Sequence, residues 1–127
     1  MAFQTIVPKW WNRPAAPYSP AVRKGNMVFT SGQVALNEKG ELVGAEDIKV
    51  QTRQVLENIR ACLEEACAKM EDVVLANVFL TDVSNYGGMN EVYREYFHEN
   101  FPARACVISD LVRPECLVEI EVIAVTG

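Results

Sequence analysis

Two short stretches near the C-terminal end hold the residue types best suited to chemistry. Arg104 opens an alternating stretch over residues 104–109, and Glu119 and Glu121 stand two apart in a second one over 117–125. In an extended chain a spacing of two puts both carboxylates on one side of the strand. Charges on a half-buried sheet face cost on the order of a few kcal/mol each unless they are paired or solvated. Two readings stay open at this point. Glu119 or Glu121 forms an ion pair with Arg104 across a subunit interface, or the arginine stays free to take a ligand carboxylate through a bidentate fork while a glutamate orders a water.

Other candidate residues carry less. His98 is the one histidine of the sequence, which removes multi-histidine metal sites and allows a Ser-His-Asp triad only if its ring points into a pocket. It stands between Phe97 and Glu99, beyond an apolar stripe, so a solvated helix end is expected. Cys62, Cys67, Cys106 and Cys116 do not follow a paired zinc-ligand spacing, and reduced, mostly buried thiols are the expectation. Ser31 in Thr30-Ser31-Gly32-Gln33 lacks the first glycine of a nucleophile elbow. Gly87-Gly88 is no phosphate loop, Asp72 and Asp82 read as turn and cap residues, and Tyr93 and Tyr96 read as core. No metal and no cofactor are expected.

Those residues must be positioned by a small chain. The 127 residues, half of them apolar, suit a single domain over 1–127. The balance of 12 Lys and Arg against 17 Asp and Glu, a net charge of −5, argues against a nucleic-acid partner, which needs concentrated positive charge. No apolar run approaches the roughly 18 to 20 residues needed to cross a bilayer, and Met1-Ala2-Phe3-Gln4-Thr5 does not begin a secretion signal. The expected location is cytoplasmic, with no membrane partner.

Residues 3–7 alternate weakly, as a first strand would. Pro8, Pro14, Pro17 and Pro20, four of the six prolines, then predict a loop without regular structure, in which the rings of Trp10, Trp11 and Tyr18 are expected to dock on something. A strand is predicted over 26–36, a turn over 37–40 and a short return over 41–43. Over 46–68 the pattern becomes helical, with Ile48, Thr52, Val55, Leu56, Ile59, Cys62, Leu63 and Ala66 on one stripe and Lys49, Arg53, Glu57, Arg60 and Glu64 opposite.

Residues 72–82 predict a strand in which both alternating sets are apolar: Val74, Ala76, Val78 and Leu80 on one side, Val73, Leu75 and Phe79 on the other. Two helices cover one face of a sheet, so a second subunit is expected on the other. A second helix follows, opened by Ser84 or Asn85 and weakened in its first turn by Gly87-Gly88. Its inner stripe is Met89, Val92, Tyr93, Tyr96 and Phe97. In the final strand Val118, Ile120, Val122 and Ala124 suit a helix-covered core, while Leu117, Glu119, Glu121 and Ile123 face away. In the strand before it Arg104, Cys106 and Ile108 share a side. The order β-β-β-α-β-α-β-β describes an α+β sandwich with a mixed sheet and two helices on one side.

Seven blocks carry a resemblance. Ala16-Pro17-Tyr18-Ser19-Pro20-Ala21-Val22, Val28-Phe29-Thr30-Ser31-Gly32-Gln33, the stretch from Gln51 to Ile59, Val78-Phe79-Leu80-Thr81-Asp82, Asn90-Glu91-Val92-Tyr93, Phe101-Pro102-Ala103-Arg104 and the stretch from Val118 to Ala124 run in order over nearly the whole chain. They resemble the Rid family, the reactive-intermediate (enamine/imine) deaminases formerly called the YjgF family. The resemblance implies a chorismate-mutase-like fold, a mixed six-stranded sheet with two helices on one face, assembled as a homotrimer with a site in each cleft between subunits. It implies hydrolysis of 2-imino and enamino acids (2-iminopropanoate, 2-iminobutanoate or 2-aminoacrylate) to 2-keto acids and ammonia. Carried over by position, Arg104 would hold the substrate carboxylate, Glu119 would position the attacking water, and Cys106 would lend backbone polar groups. Tyr18, Ser31 and Asn90 would line the cleft.

An imine is already electrophilic, so orientation and one activated water suffice, and no cofactor is called for. Ala16 and Ala105 replace the family's frequent glycine and serine. Trp10-Trp11 and residues 111–114 are less typical of the central deaminase branch, and residues 111–114 with Ser84-Asn85-Tyr86 and Leu117-Val118-Glu119-Ile120 look more like the branch linked to aminoacrylate in pyrimidine breakdown. A rival expectation is a trimer that binds or senses a 2-keto acid without turnover; for this, Arg104 is needed and Glu119 is not. The ribonuclease or translation-inhibitor label attached to some relatives fits poorly with the acidic balance and the lack of a basic, aromatic-lined strand.

Overall fold

The alternation of the last strand organises the molecule. In β6 (Val118–Val125) the residues Val118, Ile120, Val122 and Ala124 are buried and their neighbours half-buried, so one face meets a core and the other does not. The computed structural model describes residues 2–11 and 16–127; Pro14 of the predicted proline loop lies outside the described residues, as does Met1. Around β6 stand β1 (Gln4–Ile6), β2 (Ala21–Lys24), β3 (Met27–Thr30), β4 (Val73–Leu80) and β5 (Ala103–Ile108), in the sheet order β1-β2-β3-β6-β4-β5. Every pairing is antiparallel except β4 with β5, which are parallel. That pair is joined by a crossover containing α2 (Tyr86–Tyr96), as parallel neighbours require. With α1 (Ile48–Glu65), this is the mixed six-stranded α+β sheet with two helices that the sequence led us to expect.

The predicted stripe of α1 is buried from Thr52 to Ala66, with Ile48 half-buried at its start. Its inner side packs with Met89, Val92, Tyr93 and Phe97 of the α2 region against Val28, Val78, Leu80, Ile120 and Val122 of the sheet. Each fully buried aliphatic side chain of this size contributes roughly 1.5–3 kcal/mol. Asp47 caps α1, its carboxylate accepting from the Val50 N–H at 3.1 Å. Two buried amides on the same helix tie down distant backbone. Asn58 donates to the carbonyls of Val34 (3.1 Å) and Leu36 (2.9 Å). Gln51 donates to the carbonyls of Gly44 and Glu115, both at 3.1 Å, and accepts from the Leu117 N–H at 2.8 Å.

Three local expectations are corrected. The third strand before α1 is β2, not residues 41–43, which contribute only a bridge between Leu42 and Leu36. Gly25, at φ +59°, permits the tight β2–β3 hairpin that places β2 in the sheet. Alternation groups Val74 on one side with Ala76, Val78 and Leu80, which are buried. A bulge between Val73 and Leu75 turns it out to 49% exposure and buries Val73 instead. Neither Ser84 nor Asn85 caps α2 through its side chain. Asp82 does the capping one step earlier, accepting from the Ser84 N–H at 2.8 Å at the head of a 3₁₀ turn over Val83–Asn85.

Candidate functional site

Strand alternation and register divide the predicted site residues into two groups. Glu119 and Glu121 project from the face of β6 that no helix covers, opposite Phe79 and Asn77 of β4. Arg104 stands on β5 opposite the buried Ala76, on the helix side. Two strand spacings of ~4.8 Å and an offset of three residues put the Cα atoms of Arg104 and Glu119 roughly 14 Å apart, with side chains leaving opposite faces of the sheet. The ion pair between them is therefore not made within one chain.

Glu119 lines a cavity of about 400 Å³ with Tyr18, Ser31, Gly32, Val112 and Arg113, whose guanidinium pairs with Glu115 at 2.9 Å, while Glu121 faces a separate cavity. The Ser31 hydroxyl donates to the Ser19 carbonyl at 2.6 Å and its N–H to the Pro20 carbonyl at 2.9 Å. Ser31 thus anchors the segment that carries Tyr18, whose side chain remains 53% exposed over the cavity. Glu121 accepts from Asn77 Nδ2 at 3.2 Å. Glu119 makes no hydrogen bond and no ion pair among the described residues. Burial first and the neighbouring Glu121 charge second raise its pKa above the ordinary carboxylate value. A half-buried carboxylate with raised proton affinity, facing open space, can take and return a proton.

The basic group lines a second cavity of about 230 Å³ with Tyr86, Asn90, Tyr93, Phe101 and Pro102. Tyr86 and Asn90 are one helical turn apart on α2, so both reach the same side chain. The Arg104 guanidinium donates to Asn90 Oδ1 at 2.8 Å and to the Tyr86 hydroxyl oxygen at 3.1 Å. Its carbon lies 4.8 Å from the Tyr93 ring centre and 5.7 Å from that of Tyr86. No carboxylate pairs with it among the described residues. A guanidinium fixed by neutral groups keeps its charge available for an anion.

Cys106 lies one pleat further along β5, half-buried against the core, and burial raises its thiol pKa while the Arg104 charge opposes the rise. Its backbone is the more useful part. The Ser109 N–H donates to the Leu80 carbonyl at 2.9 Å, so odd-numbered residues of this stretch turn their backbone groups toward β4. By alternation, the N–H and C=O of Cys106 point outward from the edge of the sheet.

The other candidates separate out. His98 is exposed beyond the end of α2, and Cys62 and Cys116 are buried. Cys67 is exposed, against the expectation of burial, because the chain turns at φ +60° just past α1. Trp10 and Trp11 are half-buried, ring centres 6.0 Å apart. Among the described residues no three His, Cys, Asp or Glu side chains converge as metal ligands would. No helix is long and apolar enough to cross a membrane. Sequence reasoning missed Tyr86, Tyr93 and Gly32 as parts of the site. The spacing of four between Tyr86 and Asn90 was the available signal for the first. Tyr93 was read as core, which it is, and its position beneath Arg104 depends on the β4–β5 pairing.

Comparison with known proteins agrees with the earlier resemblance. The profile of the family described as Endoribonuclease L-PSP matches residues 11–126. A RutC family protein of Pyrococcus abyssi is 45% identical over 125 residues, covering 98% of each chain. The crystal structure of RidA from the Antarctic bacterium Psychrobacter sp. PAMC 21119 is 40% identical, with a TM-score of 0.88, over 97% of this chain and 99% of that one. The structure of E. coli TdcF with bound serine is 34% identical, with a TM-score of 0.87, over 98% of this chain and 100% of that one. With the profile match, these full-length likenesses mean that the chain belongs to the Endoribonuclease L-PSP family, the YjgF/Rid superfamily.

Proposed function

We propose that the protein hydrolyses 2-imino acids, with enamino acids such as 2-aminoacrylate entering through their imine tautomers, to 2-keto acids and ammonia. The site is shared between copies of the chain. The observation that carries this reading is the separation of Arg104 from Glu119. An arginine and a glutamate, each without an ion pair among the described residues, leave opposite faces of one sheet, so only a second copy can bring the two together. Such a contact joins two different patches, and a head-to-tail contact of this kind forms a ring when its rotation closes. Three copies, as the family resemblance implies, would also cover the uncapped sheet face, where Val74 and Val107 are 49% and 45% exposed.

At the shared site Arg104 takes the substrate carboxylate through two N–H donors, oriented by Asn90. The outward backbone groups of Cys106 meet the imine nitrogen. Glu119 from the other copy accepts a proton from a water whose oxygen attacks C2, and the C=N π pair moves to nitrogen. Glu119 returns that proton to the nitrogen to give the neutral aminol, then takes the aminol hydroxyl proton as the C2=O bond forms and the C2–N bond breaks, and delivers it to the departing ammonia. Tyr18, held in place through Ser31, covers the substrate. Every step is a proton transfer or an addition, within reach of these side chains. Serine bound to TdcF supports the substrate class, because serine also carries a carboxylate and a nitrogen on C2. The net charge of −5 works against the RNA cleavage that the family's name suggests.

The test couples the purified protein to an amino-acid oxidase or dehydratase and follows imine loss, alongside light scattering. Faster loss than the spontaneous rate, by a trimer, is expected. A stable monomer at micromolar concentration, or loss at the spontaneous rate, would overturn the reading.

A further inference from the structure

Gly32 stands between Ser31 and Gln33 where the chain crosses the foot of the acidic cavity. Both flanks are pinned. The Ser31 N–H donates to the Pro20 carbonyl at 2.9 Å, and Gln33 exchanges two backbone hydrogen bonds with Ile120, at 2.8 and 3.1 Å. The second pair locks Gly32 beside Glu119. A Cβ at Gly32 would lie 2.1 Å from Oε2 of Glu119, 2.8 Å from its Cδ and 3.1 Å from its Cγ. Non-bonded carbon and oxygen do not approach so closely. The conformation of Gly32 does not itself require glycine, since it lacks the positive φ of Gly25, Gly40 and Gly44. The three atoms nearest such a side chain all belong to the Glu119 side chain.

We propose that Gly32 is a positioning residue for the reaction proposed above: by carrying no side chain it leaves the space in which the Glu119 carboxylate stands. Glu119 has no hydrogen bond or ion pair to hold it against displacement, and the pinned backbone on both sides cannot retreat. A methyl group at position 32 therefore moves the carboxylate and leaves the fold in place. This inference rests on Glu119 acting on water, and its test also has readouts that need no turnover.

The experiment compares the assembled parent protein with Gly32→Ala, Glu119→Asp and the double variant. A misplacement of about 1 Å at a reacting group costs on the order of 10²-fold in rate. Gly32→Ala is expected to lower kcat by about that factor while 2-keto acid affinity stays within about twofold, because Arg104 is untouched. The double variant should lose less than the product of the two single losses, since the shorter acid removes the closest contact with the new methyl, the 2.1 Å one at Oε2. In carboxyl-labelled glutamate, the Glu119 NMR titration, assigned by its loss in Glu119→Gln, should move back toward the ordinary range in Gly32→Ala. Parent-like rate and titration in Gly32→Ala, or losses that multiply in the double variant, would overturn the proposal. Should Gly32→Ala fail to fold, Gly32→Ala/Glu119→Ala is expected to fold, and its failure would count against the proposal. A parent protein without imine hydrolysis would defeat the proposed function, and the titration would still decide the role of Gly32.

Discussion

The two halves of the candidate site are held in opposite ways. Arg104 is gripped: an amide, a hydroxyl and two aromatic rings fix its guanidinium, all of them neutral. Glu119 is merely accommodated, between the bare backbone of Gly32 and a cavity, with nothing donated to it. The difference follows from what each charge can do. A cation that must recognise a carboxylate needs rigid geometry and no competing acid. A carboxylate that must shuttle a proton needs to be spared the hydrogen bonds and cations that would lower its pKa. Burial and the Glu121 charge then raise it.

Removing the proton shuttle should cost most. Glu119→Gln keeps the shape and removes the charge, so turnover should fall by about 10² or more, while 2-keto acid binding stays largely intact, measured by coupled hydrolysis and calorimetry. Arg104→Ala removes one partner of a partly desolvated pair, worth roughly 2–5 kcal/mol. That is about 30-fold or more in kcat/KM, and 2-keto acid affinity should weaken in parallel. If the two groups instead pair across the interface only for structure, either change should loosen the assembly and reduce binding and turnover together, which light scattering on both variants would reveal.

The smallest expected effect concerns stability. A carboxyl group whose pKa is raised on folding binds its proton more tightly in the native state. The stability it contributes is complete below the ordinary value of 4.5 and is lost as pH rises through the folded value. Glu119→Gln should therefore melt slightly above the parent near pH 8, and the advantage should vanish near about pH 4. A melting temperature below the parent's at pH 8 would mean that a partner's cation neutralises Glu119 in the assembly.

Periodicity alone determined much of this protein. A spacing of two divides Val118, Ile120, Val122 and Ala124 from Glu119 and Glu121, and the helical stripe of α1 is legible from Thr52 to Ala66. Both patterns are local consequences of backbone geometry. The ordered blocks of the sequence likewise carried the family. Tertiary structure decided which strands became neighbours. The strand at β2 rather than at residues 41–43, the bulge that exposes Val74, and the placement of Tyr93 beneath Arg104 all depend on pairings between distant segments. The same holds for the site. Alternation assigns Arg104 and Glu119 each to a side of its own strand, but only the order β6-β4-β5, with its antiparallel and parallel registers, puts those sides on opposite faces of the sheet. Likewise, the spacing along the chain does not register the empty space at Gly32, because its occupant arrives from a strand nearly ninety residues away.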